Sequence, residues 1–138
     1  MREAEENGIN RYVVGAVIQR DFFVLLLERP KDDFMGGIYE LPSGRVEMGE
    51  SLDIALHREV EEETGLKIKE IKQYLGHFDY ESKSVKKTRQ FNFAVTIEPL
   101  EIKLQEHDNY VWANKDQLQQ YPVTDSVKMV LGTFFENN

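Results

Sequence analysis

The sequence contains no cysteine, which excludes disulfides and thiol chemistry and leaves only oxygen and nitrogen ligands for any metal. Its three histidines are scattered and show no zinc-type spacing. Positive charge is also scarce: 17 Lys and Arg stand against 25 Asp and Glu, a formal net charge of −8. That balance argues against nucleic acid or an anionic membrane as a partner, since each needs a basic face. A small anionic substrate stays compatible with it, provided a cation bridges the like charges. No apolar run approaches the ~18 residues that would span a bilayer. The opening MREAEENGINR is polar and acidic, with nothing resembling a secretory signal, so the expected location is cytoplasmic. Hydrophobic residues make up 41% and charged residues 30%, the balance of a globular chain. A length of 138 residues suits a single domain over 1–138.

Tyr12 to Gln19 and Phe22 to Glu28 are rich in β-forming residues and flank Arg20-Asp21, which predicts a hairpin. A loop from Arg29 to Gly37 leads to a short strand, Ile38 to Leu41, stopped by Pro42. A helix is predicted from Ser51 to Thr64, with Ser51 as N-cap and Gly65 as terminator. Ile68 to Tyr80 and Gln90 to Glu98 read as long strands joined by ESKSVKKTR, and Tyr110 to Ala113 as a short one. Helical pieces at Lys115 to Gln120 and Asp125 to Glu136 close the chain. Strands, helix, strands, helix is the order of a mixed sheet between helices.

The first helix changes character partway along. With successive residues about 100° apart and Leu52 at the origin, Leu56, Ala55 and Val60 form a core-facing stripe. One turn further, the same stripe meets Glu59 and Glu63 within about 20° of the origin, with Glu62 on the flank near −80°. Glu61 points the opposite way and reads as surface. Carboxylates at i, i+3 and i+4 repel. They also crowd the C-terminal turns, where the helix dipole disfavours anions. A hard divalent cation such as Mg²⁺ or Mn²⁺ would remove the conflict. A solvated acidic helix end is the alternative, and it accounts poorly for Glu59 and Glu63.

The spacing Gly44, five residues, Glu50, seven residues, Arg58-Glu59-Val60, one residue, Glu62-Glu63, one residue, Gly65-Leu66 is a complete Nudix box over 44–66. The chain thus resembles a Nudix hydrolase of the MutT type. The resemblance implies an α/β fold, a Nudix-type α/β/α sandwich with a mixed β-sheet between helices. It implies hydrolysis of a nucleoside diphosphate linked to another moiety, with Mg²⁺ or Mn²⁺ held by Glu59, Glu62 and Glu63 and often by the Gly44 carbonyl. Glu50 and Arg58 are expected to be structural, as an ion pair tying the preceding loop to the helix, and Gly65 to end it. Glu106, in EHDNYVW, matches a loop position where MutT-like members carry a further glutamate as ligand or general base; a polar loop residue is the alternative. Glu59 and Glu106 are not separated as candidates for the base.

Arg29 matches a family position that often contacts substrate phosphate; a strand-end arginine in solvent is the other reading. Leu41-Pro42-Ser43-Gly44 matches neither the Phe-Pro-Gly-Gly run usual in triphosphate-cleaning members nor the Leu-Pro-Ala-Gly run of nucleotide-sugar pyrophosphatases. The small size and the absence of an N-terminal dimerisation domain lean toward nucleoside triphosphates, oxidised ones included. An ADP-ribose or nucleotide-sugar pyrophosphatase and a catalytically silent nucleotide-binding module are the alternatives, and the intact set of box glutamates favours an enzyme. An isopentenyl diphosphate isomerase would need a cysteine. Thr124 or Asp125 could hydrogen-bond a base, although Thr124 also suits a helix cap. Tyr39, Phe34 and Phe78 could stack on a base or belong to the core. Lys83, Lys86, Lys87 and Arg89 read as a solvated hairpin tip, with phosphate steering or RNA contact as the other possibility. His57 and His77 read as structural, whereas His107, beside Glu106, could approach the site. The expected partner is a small nucleotide, bound by a monomer or homodimer.

Overall fold

The computed structural model describes residues 7–32, 36–81 and 86–137. Its strands are β1 (Arg11–Arg20), β2 (Phe23–Glu28), β3 (Tyr39–Glu40), β4 (Ser43–Arg45), β5 (Ile68–Glu81), β6 (Lys87–Ile97) and β7 (Asn109–Ala113). The helices are α1 (Leu52–Thr64) and α2 (Asp125–Glu136), with a 3-10 turn at Leu118–Gln120. The strands form one sheet, in which β3, β2, β1, β6 and β5 lie in that order while β4 adds to β1 and β7 to β2.

β1 organises this sheet. It runs parallel to β6 from Arg11 opposite Thr88 to Gln19 opposite Thr96. Its end turns antiparallel into β2 through a tight corner where Asp21 adopts φ 56°, a left-handed conformation that Asp tolerates. The sheet is therefore mixed, as expected. Both of its faces are covered, and strand alternation sorts the side chains between them. Val14, Ala16, Ile18, Leu25 and Leu27 join Ala55, Leu56 and Val60 beneath α1. Val17, Val24 and Leu26 join Val127, Val130, Leu131 and Phe134 beneath α2. Each fully buried Val, Leu or Ile among these contributes about 1.5–3 kcal/mol of transfer free energy.

The structure departs from the sequence-based expectations in three places. β4 was not expected, because Pro42 read as the end of the preceding strand; its pairing with Val13–Gly15 is bracketed by hydrogen bonds from Ala16 N–H to the Pro42 carbonyl and from Val46 N–H to the Tyr12 carbonyl, 2.9 Å each. The segment from Lys115 shrinks to the 3-10 turn, where Asn114 and Gln117 cap each other by side-chain bonds of 2.9 and 3.0 Å. Arg89 is the third correction. It lies inside β6, is 4% exposed and grips Asp79 through two hydrogen bonds of 2.7 and 2.9 Å, so it is no part of a solvated tip. Those bonds hold the Asp79 carboxyl below its ordinary range. Lys86 and Lys87 are exposed, while Lys83 and Phe34 lie outside the described residues.

Candidate active site

The loop between β4 and α1 is clasped to the helix by Arg58. Its Nε and Nη2 donate to the two Glu50 oxygens at 2.7 and 2.8 Å, and Nη2 also reaches the Arg45 carbonyl at 2.8 Å. The paired geometry is the strong form of a guanidinium–carboxylate contact. Together with the Glu47 N–H it lowers the Glu50 pKa to about 2, and the same bonds keep Arg58 firmly protonated. The structural pairing expected for Glu50 and Arg58 is thus formed. Gly65 ends α1 in the left-handed region, φ 74°, with its N–H donating to the Glu61 carbonyl at 2.8 Å. Ser51 stands at the N-cap but makes no capping bond; its hydroxyl donates to Asp53 instead.

Beyond the clasp, α1 turns its glutamates into a cleft of ≈ 560 Å³ lined by Ser43, Gly44, Glu59, Glu62, Glu63 and Glu106 among others. Glu61 reaches its edge as well, although it is exposed as expected. The three box glutamates differ sharply in setting. Glu59 is 14% exposed and accepts from Arg58 Nη1 at 2.7 Å, while Glu62 is 59% exposed and accepts from the same nitrogen at 3.1 Å. Glu63, 17% exposed, accepts the Ser43 N–H at 2.6 Å. Burial is the main cause that lifts the Glu63 carboxyl to about 8, partly offset by His107 and the Ser43 N–H and reinforced by Glu59 and Glu40. Burial likewise raises Glu59, against the pull of Arg58. Gly44 lies close against Glu59: a Cβ at that position would overlap the Glu59 carboxyl group and displace it. Glu106 arrives from a different part of the chain, the loop between β6 and β7.

Among the described residues no three acidic or histidine side chains converge closely enough to ligate one ion as they stand. Arg58 Nη1 instead holds two of the carboxylates, those of Glu59 and Glu62. The donor set nonetheless fits a hard divalent cation. It consists of carboxylate oxygens from two chain segments around a glycine-lined hollow, with one buried carboxyl whose ionisation is disfavoured until positive charge arrives.

Two residues that sequence reasoning underrated, His107 and Glu40, stand beside Glu63 without lining the cleft. His107 is 6% exposed; its Nε2 pairs with Glu40 Oε2 at 2.7 Å, and its Nδ1 lies 3.9 Å from Glu63 Oε2. Burial pulls this imidazole toward neutrality, but the Glu40 hydrogen bond and the charges of Glu63 and Glu40 outweigh it and raise its pKa. Glu40 in turn accepts from Arg29 Nη1 at 3.1 Å. Arg29 is thereby linked to the site. Tyr39 packs edge-on against Tyr121 at 5.0 Å, and Thr124 accepts the Val127 N–H at 3.3 Å as the cap of α2. Asp125 is the exposed first residue of that helix, and Phe78 packs against the α2-side core. Tyr39, Thr124 and Asp125 do not line the carboxylate cleft. His57 and His77 are exposed and far from it in role: one binds the Asp53 carbonyl, the other the Tyr74 hydroxyl.

A model of the NUDIX domain family matches residues 9–130. Over 122 residues the chain is 30% identical to the CTP pyrophosphohydrolase of Escherichia coli strain K12, covering 88% of this chain and 89% of that protein. It is 43% identical over 63 residues to an ADP-ribose pyrophosphatase of Methanocaldococcus jannaschii, covering 46% of this chain and 36% of that protein. The crystal structure of the MutT protein from Methanosarcina mazei Go1 superposes with a TM-score of 0.78 at 27% identity, covering 93% of this chain and 95% of that one. Among the described residues no helix is long and apolar enough to cross a membrane.

Proposed function

This chain belongs to the Nudix hydrolase family, and from that membership we propose that it is a divalent-metal-dependent pyrophosphohydrolase of nucleoside triphosphates, canonical or oxidised. One observation carries the reading: the box glutamates of α1 and Glu106 of the β6–β7 loop line a single cleft beside Gly44. One relative, matched over 89% of its length, is named a CTP pyrophosphohydrolase, which supports a triphosphate over a nucleotide sugar.

Glu59, Glu62, Glu63 and Glu106, with the Gly44 carbonyl, would hold Mg²⁺ or Mn²⁺. A bound cation of this kind neutralises phosphate charge and acidifies water, which is what an anionic anhydride needs before a nucleophile can approach. The protein's own groups do the rest. Arg58 keeps the loop before α1 fixed through Glu50, so that Gly44 stays against Glu59. Glu59 or Glu106, whichever stays clear of the cation, takes the proton of the attacking water. Arg29, at the end of β2, would contact a phosphate oxygen, and Tyr39, Thr124 and Asp125 are the residues proposed to meet the nucleoside, outside the carboxylate cleft itself.

A turnover panel tests this. Nucleoside triphosphates, their 8-oxo forms, ADP-ribose and sugar nucleotides would be offered with Mg²⁺, with Mn²⁺ and with a chelator, using Glu63→Gln as blank. The expected outcome is release of pyrophosphate from one triphosphate class, abolished by chelator and blank alike. Cleavage of ADP-ribose alone would transfer the chain to the nucleotide-sugar branch. Nucleotide binding without turnover would make it a silent module.

A further inference from the structure

His107 poses a problem that the proposed chemistry does not use. Its ring is almost wholly buried, and buried imidazole nitrogens are nearly always paired. Nε2 is paired with Glu40, but Nδ1 has no hydrogen-bond partner. The orphaned atom faces the Glu63 carboxyl at 3.9 Å, just beyond hydrogen-bond reach. An unpaired buried polar atom is destabilising, so a side chain without it would suit this place better if packing were all that mattered.

The position of His107 in the chain adds a second observation. It follows Glu106, which lines the cleft, and precedes Asp108, whose N–H donates to the Glu28 carbonyl at 3.1 Å. Asp108 also accepts the Lys31 N–H at 3.2 Å through its carboxylate. At the far end of the same loop, Lys103 N–H donates to the Thr64 carbonyl at 2.7 Å. Between these pins, the inward-pointing ring of His107 is the side-chain anchor nearest to Glu106.

We propose that His107 is a positioning residue that sets two site carboxylates at once: its Nδ1 orients Glu63 on α1, and its Nε2 bond to Glu40 holds the loop that presents Glu106. The inference rests on the functional reading above and goes beyond it, because it assigns a shared support to ligands from two separate segments. Arg29 completes the support by holding the other oxygen of Glu40. Outer-shell partners of this kind change metal affinity or activity by about 10–100-fold when removed.

The test is Mn²⁺ binding to the nucleotide-free protein, followed by paramagnetic resonance, with thermal melting of the metal-free form alongside. His107→Leu removes both contacts, His107→Gln keeps an amide near Glu40, and His107→Asn keeps one near Glu63. The expected result is Mn²⁺ affinity lowered about 10–100-fold in the Leu variant, with partial recovery in each amide variant and a metal-free melting temperature little changed or raised. Should the Leu variant fail to fold, the two amide variants carry the same comparison, and each is expected to bind more weakly than wild type. Mn²⁺ affinity within twofold of wild type in variants that fold would overturn the proposal, as would a loss of melting temperature with affinity intact. Absence of Mn²⁺ binding by the wild type, matched by Glu63→Gln, would overturn the functional reading itself and this inference with it.

Discussion

The two helices lie against opposite faces of one sheet and are built to opposite specifications. α2 follows the rules of capping and apolar patterning. Thr124 caps it through the Val127 N–H, and Val127, Val130, Leu131 and Phe134 give it an unbroken apolar stripe. α1 starts with Ala55, Leu56 and Val60 against the sheet, then spends the rest of that stripe on carboxylates. It has no side-chain cap, and the carboxylates in its last turns oppose the dipole with no basic residue there to answer them, a lack it shares with α2. What holds it are the Arg58 clasp, the Gly65 terminator and the sheet beneath. The lesson is that one helix stabilises the fold while the other is stabilised by it, and the difference is the room left for chemistry.

The sharpest way to test that contrast is to neutralise one charge on α1 and one apolar group on α2. Glu63→Gln is expected to cut turnover about 10²–10⁴-fold, measured with the preferred substrate, while the metal-free protein melts no lower than wild type. Phe134→Ala should do the reverse, costing about 3–5 kcal/mol in denaturant unfolding with kcat preserved well below the melting range. A large loss of kcat in the folded Phe134 variant would break the division between the helices.

The pH dependence of stability separates the two ends of α1. The Glu63 pKa of about 8 exceeds the ordinary value of 4.5, so its contribution is complete below pH 4.5 and is lost as pH rises through 8. Glu50, held at about 2, acts in the opposite sense: its contribution is present above pH 4.5 and is lost as pH falls toward 2. The metal-free melting temperature is therefore expected to decline between pH ~5 and ~8, and Glu63→Gln should flatten that decline. Saturating Mg²⁺ should raise the melting temperature more at the alkaline end, where no proton need be displaced. The smallest effects concern the caps. Thr124→Ala should cost about 1 kcal/mol and Ser51→Ala less than about half of that, since only the threonine makes the capping bond.

These contrasts show which parts of the molecule are legible in its sequence. Glu59 and Glu63 stand out because helical periodicity is a local property, and a carboxylate falling on an apolar stripe conflicts with its neighbours within two turns. The strands of both cores are visible for the same reason, as runs rich in Val, Ile and Leu. Glu40 and His107 carry no such mark. They meet only because β2 pairs with β3 on one side and with β7 on the other, bringing Glu40 opposite Leu27 and Asn109 opposite Glu28. No local period encodes that meeting. Arg89 misleads for a related reason: its neighbours in sequence are basic, while its neighbours in space are Asp79 and the sheet. A hint for His107 lies in its pairing with Glu106 next to a β-rich segment, but burial is needed to give it meaning.

The parallel pairing of β1 with β6 has a consequence for how this protein comes into being. Arg11 must wait for Thr88, so a nascent chain emerging at about 5–20 residues per second spends roughly 4–15 s without its central partner. During that interval Val24, Leu25, Leu26 and Leu27, all fully buried in the finished protein, are a bare hydrophobic segment beside an acidic helix with nothing beneath it. Birth on the ribosome is thus the moment of greatest exposure to aggregation; the arrival of β6 completes the centre of the sheet, and β7 and α2 then cover the segment.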